Sequence, residues 1–446
     1  MRKSKEFKLI NPRVFKKQLL LWCSKNNVFA FHDTNGFNLK QSKVSQFPDF
    51  EILAATGIID IFESNYGKAF HRLDEFLQKE KDWYFGIFGY DLKNELENLV
   101  SENKNFTGFK DMLFFRPELV FRIRNSTLEI FYFKERLSNS EIDDIYSEIQ
   151  ATNYLLEPDM FIPEIKQRIS KEDYLSNIRS IKEHISRGDI FEMNFCIEFF
   201  SEDATIHPAL VFTSLMEQSP SPYACMYRFE NCYLISSSPE RFLAKNERNI
   251  ISQPMKGTIR RDSSDIHDEV QIEKLKKDPK EVSENIMIVD LVRNDLAKTA
   301  VNHSVKVEEL CGIYSYATVH QMVSTVHSKL SDEFDALDVI KTCFPMGSMT
   351  GAPKVKAMQL IDRFEETKRG VYSGASGYFT PLGDFDFNVI IRSILYNKLN
   401  RYLSFSTGGA ITSNSVPELE YEECLLKAEA LKKALISYTY QYDKTI

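Results

Sequence analysis

Between Phe191 and Phe199 apolar and polar residues alternate, with Phe191, Met193, Phe195, Ile197 and Phe199 set against Glu192, Asn194, Cys196 and Glu198. A period of two predicts a half-buried strand with one polar face. Just upstream the period becomes helical. Tyr174, Ile178, Ile181 and Ile185 recur on one stripe, Ser170 stands where an N-cap belongs, and Gly188 supplies a stop. Short apolar runs in the first 150 residues, such as Val28-Phe29-Ala30-Phe31 and Trp83 to Tyr90, predict further strands. Strands with one apolar face, interspersed with separate helices, predict antiparallel sheets with helices packed outside, an α+β fold rather than a βαβ repeat.

A chain of 446 residues exceeds one ordinary core, so it holds either two domains or one large layered domain. The segment from Leu156 to Pro163, with two prolines, divides an N-terminal region (1–155) from the region 165–440. Hydrophobic residues make up 43% and charged residues 27%, which excludes disordered and collagen-like classes. Lys+Arg 56 against Asp+Glu 64 gives a net charge of -8, so no basic excess exists for a nucleic-acid backbone. An anionic small molecule would need a local cationic pocket or a metal. The seven cysteines are scattered and include no C-x-x-C pair, as expected of reduced thiols in a cytoplasmic protein. No apolar stretch approaches the roughly 20 residues of a membrane span. Nor does the chain contain a zinc-type histidine spacing, a G-x-S-x-G, a P-loop or a G-x-G-x-x-G.

Candidate chemistry gathers in the second half. In Asp278-Pro279-Lys280-Glu281-Val282-Ser283-Glu284, Asp278 can cap a helix begun by Pro279, which places Glu281 and Glu284 on one face. Glu420 and Glu423 form a similar pair, with Lys427 one turn further on. Either pair alone is most often a solvated helix face; together they could hold a hard cation such as Mg²⁺. Lys256 lies between Pro254 and Gly257, either as a solvated charge or as an amine nucleophile. Glu240 follows the apolar run Tyr233-Leu234-Ile235, placed at a strand end for an ion pair with Arg241 or for general acid chemistry. Eight of the 17 glycines fall between Gly347 and Gly409, and Gly408-Gly409 ends a strand-like run where backbone N–H groups could meet an anion.

Taken in order, Ser237-Ser238-Pro239-Glu240-Arg241-Phe242, Pro254-Met255-Lys256-Gly257-Thr258, Met287 to Leu296, Phe344 to Lys354, and Glu420-Tyr421-Glu422-Glu423 closely resemble the chorismate-utilising enzymes. That family includes anthranilate, aminodeoxychorismate, isochorismate and salicylate synthases. The match is dense over about residues 170–437 and loose before them, where Gly89-Tyr90-Asp91-Leu92 is the most familiar piece. The resemblance implies one large α+β domain of the anthranilate synthase component I type, two packed antiparallel sheets to which the N-terminal region also contributes. It implies that Glu284 and Glu423 contact Mg²⁺ directly, supported by Glu281 and Glu420. Gly257, Thr258, Gly408, Gly409 and Lys427 would bind chorismate with the ion at its ring carboxylate, and Tyr378 and Arg392 would meet the enolpyruvyl carboxylate.

Lys256 discriminates within the family. Members resembling anthranilate synthase usually have alanine here, whereas the aminodeoxychorismate synthases have a lysine nucleophile. The resemblance thus implies amination of chorismate at C4 through a covalent Lys256 adduct, with Glu240 as the acid, on the route to p-aminobenzoate and folate. Ammonia would come from a separate glutamine amidotransferase subunit, since neither a glutaminase nor a lyase domain is recognised in the chain. Two positions depart from the pattern. Glu192 stands where ammonia-using relatives commonly have glutamine and isochorismate synthases a lysine, and Gln321 stands where many relatives have histidine. Anthranilate synthesis, and a non-catalytic chorismate-binding subunit, are the alternatives to C4 amination.

Overall fold

The alternating segment forms the strand Glu192–Ser201 in the computed structural model, which describes residues 2–37, 50–153, 161–262, 264–316 and 319–442. All ten residues of this strand are buried, so its polar side is not the expected solvent face. The strand lies inside a sheet, between Tyr402–Ile411 and the short Gly351–Ala352, and its polar side chains point inward. They are met there by other polar groups. Arg168 donates to Glu198 Oε2 at 3.0 and 2.9 Å, and Asn194 Nδ2 donates to the Ser348 carbonyl at 3.2 Å. The helical stripe forms Lys171–Ser186, capped by Ser170, and Gly188 adopts a φ of 81° just beyond its end.

Among the described residues, two antiparallel sheets of twelve and ten strands carry the fold. The larger runs from Arg2–Lys8 at one edge, through Val28–Asp33, Tyr223–Phe229 and Cys232–Ser238, to Tyr402–Ile411 and Glu192–Ser201. The smaller runs from Met255–Arg260 through Val319–Lys329, Arg241–Asn246 and Phe385–Val389 to Tyr84–Phe88 and Asp60–Ser64. Strands from the first 133 residues therefore extend both sheets. Residues 154–160, which include most of the Leu156–Pro163 boundary, lie outside the described residues.

Two apolar layers hold these parts together. Between the sheets, Phe85, Phe88, Phe114, Tyr227 and Phe387 form an aromatic core. On the outer face of the larger sheet, Phe195, Ile197 and Phe199 pack against helices through residues such as Leu19, Ile178, Phe212 and Leu431. Burying side chains of this size contributes about 1.5–3 kcal/mol each before entropy is counted. The described cysteines are all free, and no helix among the described residues is long and apolar enough to cross a membrane.

Candidate active site

Glu240 and Arg392 stand where the chain passes from one sheet to the other. Cys232–Ser238 belongs to the larger sheet and Arg241–Asn246 to the smaller, so Pro239-Glu240 is a crossover. Ile390-Ile391-Arg392 makes the return crossing, from Phe385–Val389 to Ser393–Asn397. Arg392 adopts a φ of 50° to do so. The crossings are stitched together, since the Ser237 N–H donates to the Arg392 carbonyl at 3.1 Å and the Val389 N–H to the Glu240 carbonyl at 3.0 Å. Strands that switch sheets make corners, and a corner side chain is committed to neither packed face.

Glu240 is 5% exposed. It is not paired with Arg241, which forms a two-pronged ion pair with Asp386, both contacts at 3.0 Å. Instead Glu240 Oε1 accepts from the Ser348 hydroxyl at 2.7 Å. Burial pushes the carboxyl pKa up to about 7, against the opposing pull of the Ser348 hydrogen bond and the Lys256 charge. Such a group is protonated near neutrality yet can release its proton during a reaction.

Lys256 lies on Met255–Arg260, an edge strand of the smaller sheet. Met255 faces Val323 and Thr258 faces Gln321, so this strand has one residue more than its partner over that interval. The extra residue is a bulge containing Lys256 and Gly257, and Gly257 has a φ of 90°. A bulge re-aims a side chain that a regular strand would hold in alternation. The Asn285 side chain steadies it, donating to the Met322 carbonyl at 3.4 Å and to the Lys256 carbonyl at 3.5 Å. The Lys256 charge lowers the proton affinity of Glu192, Glu240, Glu281, Glu284 and Glu423, acids drawn from a strand of the larger sheet, from the crossover and from two helices. Thr258 is exposed.

The expected N-cap is present. Asp278 Oδ1 accepts from the Lys280 and Glu281 N–H groups at 2.9 and 3.2 Å and starts the helix Pro279–Ala297. The facing helix, Pro417–Tyr442, carries Glu420, Glu423 and Lys427. Lys280 joins the two, with Nζ 3.4 Å from Glu420 Oε1 and 4.0 Å from Glu284 Oε1. Burial raises Glu284 to about 7; Lys256 and Lys280 oppose this, and Glu281 and Glu192 add to it. Burial raises Glu281 as well, while Lys427, 2.7 Å away, holds Glu423 below the usual carboxylate range. Burial works against the charged form of Lys280, yet Glu420, Glu284, Glu281 and Glu423 together raise its pKa.

Among the described residues no three metal-binding side chains converge into a ready-made cage. The acids nevertheless fit a divalent cation. Glu284 Oε1 is buried with no hydrogen-bond donor, a cost that a bound cation would remove. Mg²⁺ needs only one or two carboxylates when water and an anionic ligand complete its shell.

Gly408 and Gly409 lie within the ladder, opposite Cys196 and Phe195, and not at the strand end. A Cβ on Gly408 would stand 2.3 Å from the Phe195 carbonyl, and one on Gly409 would stand 3.3 Å from Glu420 Oε2 and 3.7 Å from Glu423 Oε1. This backbone is the floor of the acid cluster. Lys427 is anchored to it, donating to the Gly408 carbonyl at 2.8 Å.

Tyr378 is not brought to this site. Strand alternation turns it into the aromatic core, where its ring centroid lies 5.6 Å from that of His32 and 5.9 Å from those of Phe50 and Trp83. A tyrosine that does lie beside the Gly408 ladder is Tyr372, whose hydroxyl is 3.6 Å from Sγ of Cys196, the residue opposite Gly408. His320 is turned away, bonded to Asp268 and Ser315 at 2.8 Å each. Ser348, Lys280, Asn285 and Tyr372 escaped the sequence reading. Ser348 sits inside a recognised motif and Lys280 is adjacent to Glu281, so both were within view; Asn285 acts through folded contacts alone. Two other motif residues are structural, Lys354 pairing with Asp295 at 2.5 Å to tie helix Lys354–Phe364 to helix Pro279–Ala297.

The model of the chorismate binding enzyme family matches residues 34–433. A chloroplastic aminodeoxychorismate synthase of Arabidopsis thaliana is 33% identical over 375 residues, covering 80% of this chain and 40% of that protein. A rice relative, named as a probable aminodeoxychorismate synthase, is 39% identical over 60% of this chain and 30% of its own length, so the chain spans less than half of either plant protein. Anthranilate synthase component 1 of Lactococcus lactis is 32% identical, with 78% of each chain covered. Aminodeoxychorismate synthase component 1 of Escherichia coli is 31% identical, covering 78% of this chain and 76% of that one. In structure, anthranilate synthase component I of Streptococcus pneumoniae matches with a TM-score of 0.75 at 23% identity, over 89% of this chain and 95% of that one. The menaquinone-specific isochorismate synthase of Escherichia coli also gives 0.75, at 18% identity, over 98% and 94%.

Proposed function

The chain belongs to the chorismate binding enzyme family, and from that premise we propose that it aminates chorismate at C4 to give 4-amino-4-deoxychorismate, a precursor of p-aminobenzoate and folate. The observation that carries this reading is the bulged Lys256, whose charge reaches both Glu240 and the paired glutamates. A lysine there supplies a nucleophile, and the neighbouring Glu240 supplies a proton at neutral pH.

In the proposed reaction Lys256 first gives a proton to water, its free amine adds at C2 and becomes an ammonium, both ring double bonds shift, and the C4–O bond breaks. The departing hydroxyl takes the Glu240 proton and leaves as water. Ammonia then attacks C4, the C2–N bond breaks, and its electron pair returns to the Lys256 nitrogen. Glu240 recovers a proton from the new C4 ammonium. Two allylic displacements replace one direct substitution. Arg392 supplies positive charge toward the enolpyruvyl carboxylate, and Lys427 toward the ring carboxylate. Glu284 and Glu423, with Glu281 and Glu420 behind them, would hold Mg²⁺. When bound, the ion would neutralise the ring carboxylate so that a net-acidic protein can hold a dianion. Ammonia is supplied, in this reading, by a glutamine amidotransferase partner.

Anthranilate synthesis is the second reading, favoured by relatives of that name at comparable identity. Lys256→Ala separates the two. C4 amination predicts turnover below detection with chorismate binding retained by calorimetry. A variant as active as the native chain would contradict it.

A further inference from the structure

The segment Gly89-Tyr90-Asp91-Leu92 leads to a buried ion pair. The Tyr90 N–H donates to the Gly370 carbonyl at 2.7 Å and Asp91 Oδ2 accepts from the Gly370 N–H at 3.0 Å. The Tyr90 ring lies 4.7 Å from the guanidinium carbon of Arg369. Arg369, 6% exposed, pairs with Glu365, 8% exposed, through Nε to Oε2 at 2.9 Å and Nη2 to Oε1 at 2.6 Å. Both lie in the connection between the helix Lys354–Phe364 and the strand Ala375–Phe379.

The other bonds of the pair go to backbone beside the candidate site. Arg369 Nη1 donates to the Met349 carbonyl at 2.6 Å and Nη2 to the Asn194 carbonyl at 3.0 Å, while Glu365 Oε1 accepts from the Cys196 N–H at 2.9 Å. Asn194 and Cys196 belong to the strand Glu192–Ser201, and Met349 ends the turn Gly347–Met349. Asn194 reinforces the join, its N–H donating to the Thr350 carbonyl at 2.8 Å and its Nδ2 to the Ser348 carbonyl at 3.2 Å. Ser348 is the middle residue of that turn, and its hydroxyl donates to Glu240. One guanidinium therefore bonds both segments whose separation sets where this hydroxyl stands. A planar fork fixes direction as well as distance. Desolvation offsets most of what a buried pair contributes to stability, which leaves geometry as its distinctive contribution.

Resting on the reading of Glu240 as the acid, we propose that Arg369 and Glu365 are positioning residues, which hold the turn Gly347–Met349 against the strand Glu192–Ser201 so that the Ser348 hydroxyl meets Glu240. Tyr90 and Asp91 seat the connection that carries them. The Ser348 bond favours the charged carboxylate and so opposes the burial that raises the Glu240 pKa. Loss of that bond raises the pKa further. The other charges that face Glu240 are Lys256 on the edge strand and Arg392 on the return crossing. Asp295, Cys343 and Arg241 line the cavity behind it, with Asp295 held by Lys298 and Lys354 and Arg241 by Asp386.

The test reads the alkaline limb of kcat against pH, with chorismate, Mg²⁺ and ammonium chloride. Arg369→Lys keeps the charge opposite Glu365 and loses the fork that reaches both carbonyls. The expected result is a limb whose midpoint lies about 0.5–1 pH unit above the native one, the worth of one hydrogen bond. Ser348→Ala should give the same shift, and the double variant no further shift. A residue that only stabilised the fold would lower the urea midpoint and leave the limb in place, so a folded Arg369→Lys with the native limb overturns the proposal. So do shifts that add in the double variant, or Ser348→Ala with the native limb. A native chain without an alkaline limb overturns the reading of Glu240 itself and the proposal with it. If Arg369→Lys does not fold, as judged by circular dichroism, Arg369→Gln combined with Glu365→Gln removes both charges together and carries the test, and a native limb in that variant overturns the proposal.

Discussion

Two carboxyl groups flank Lys256 in opposite circumstances. Glu240 has a donor, the Ser348 hydroxyl, whereas one oxygen of Glu192 has none. For Glu240 burial dominates and raises the pKa to about 7. Because the folded-state value lies above the ordinary carboxylate value, the protonated form prevails below it and is lost as pH rises through it. If that form donates to the leaving hydroxyl, kcat falls on the alkaline side with a midpoint near 7. Glu240→Gln should remove that limb and lower kcat by about 10²–10⁴-fold. A native profile flat from pH 6 to 9 would exclude this role. At this scale the sequence was partly legible. The position of Glu240 at a strand end follows from the apolar run before it, but its protonation depends on burial and on Ser348, more than 100 residues away in the chain.

At the scale of elements, the glutamate pair Glu281 and Glu284 is aimed by one local device. Asp278 satisfies the first free N–H groups of the helix and Pro279 presets its first turn. Asp278→Ala should cost about 1 kcal/mol of stability, read from the urea midpoint, and should raise the Mg²⁺ concentration needed for half-maximal rate. Loss of stability with an unchanged Mg²⁺ requirement would show that the cap does not position the acids. Caps and helical stripes are local, which is why Ser170 and Asp278 could be read from residues alone. Burial on both faces of Glu192–Ser201 could not be read that way, because alternation shows that a strand has two kinds of face and not what covers the polar one. Tyr378 failed for a similar reason. The resemblance places it at the enolpyruvyl carboxylate, but strand alternation directs it to His32 and Trp83, while Tyr372 lies beside Cys196.

At the scale of the molecule, the candidate site exists because strands change sheets. The crossings at Glu240 and Arg392 leave both side chains at a shared rim, and the helices Pro279–Ala297 and Pro417–Tyr442 bring acids to it from outside. The α+β class was legible from periodicity. The crossings were not, since no local pattern marks the sheet that a strand joins. The net charge of -8 also changes meaning at this scale. Part of the acidic excess is gathered at the site where Lys280 already bridges Glu420 and Glu284, and a bound cation would complete the neutralisation.

The most direct measurement is a product assay on the purified chain with chorismate, Mg²⁺ and ammonium chloride, repeated with excess chelator. C4 amination predicts 4-amino-4-deoxychorismate, visible as p-aminobenzoate only after a lyase is added, and no product when Mg²⁺ is removed. Fluorescent anthranilate formed without any lyase would contradict it.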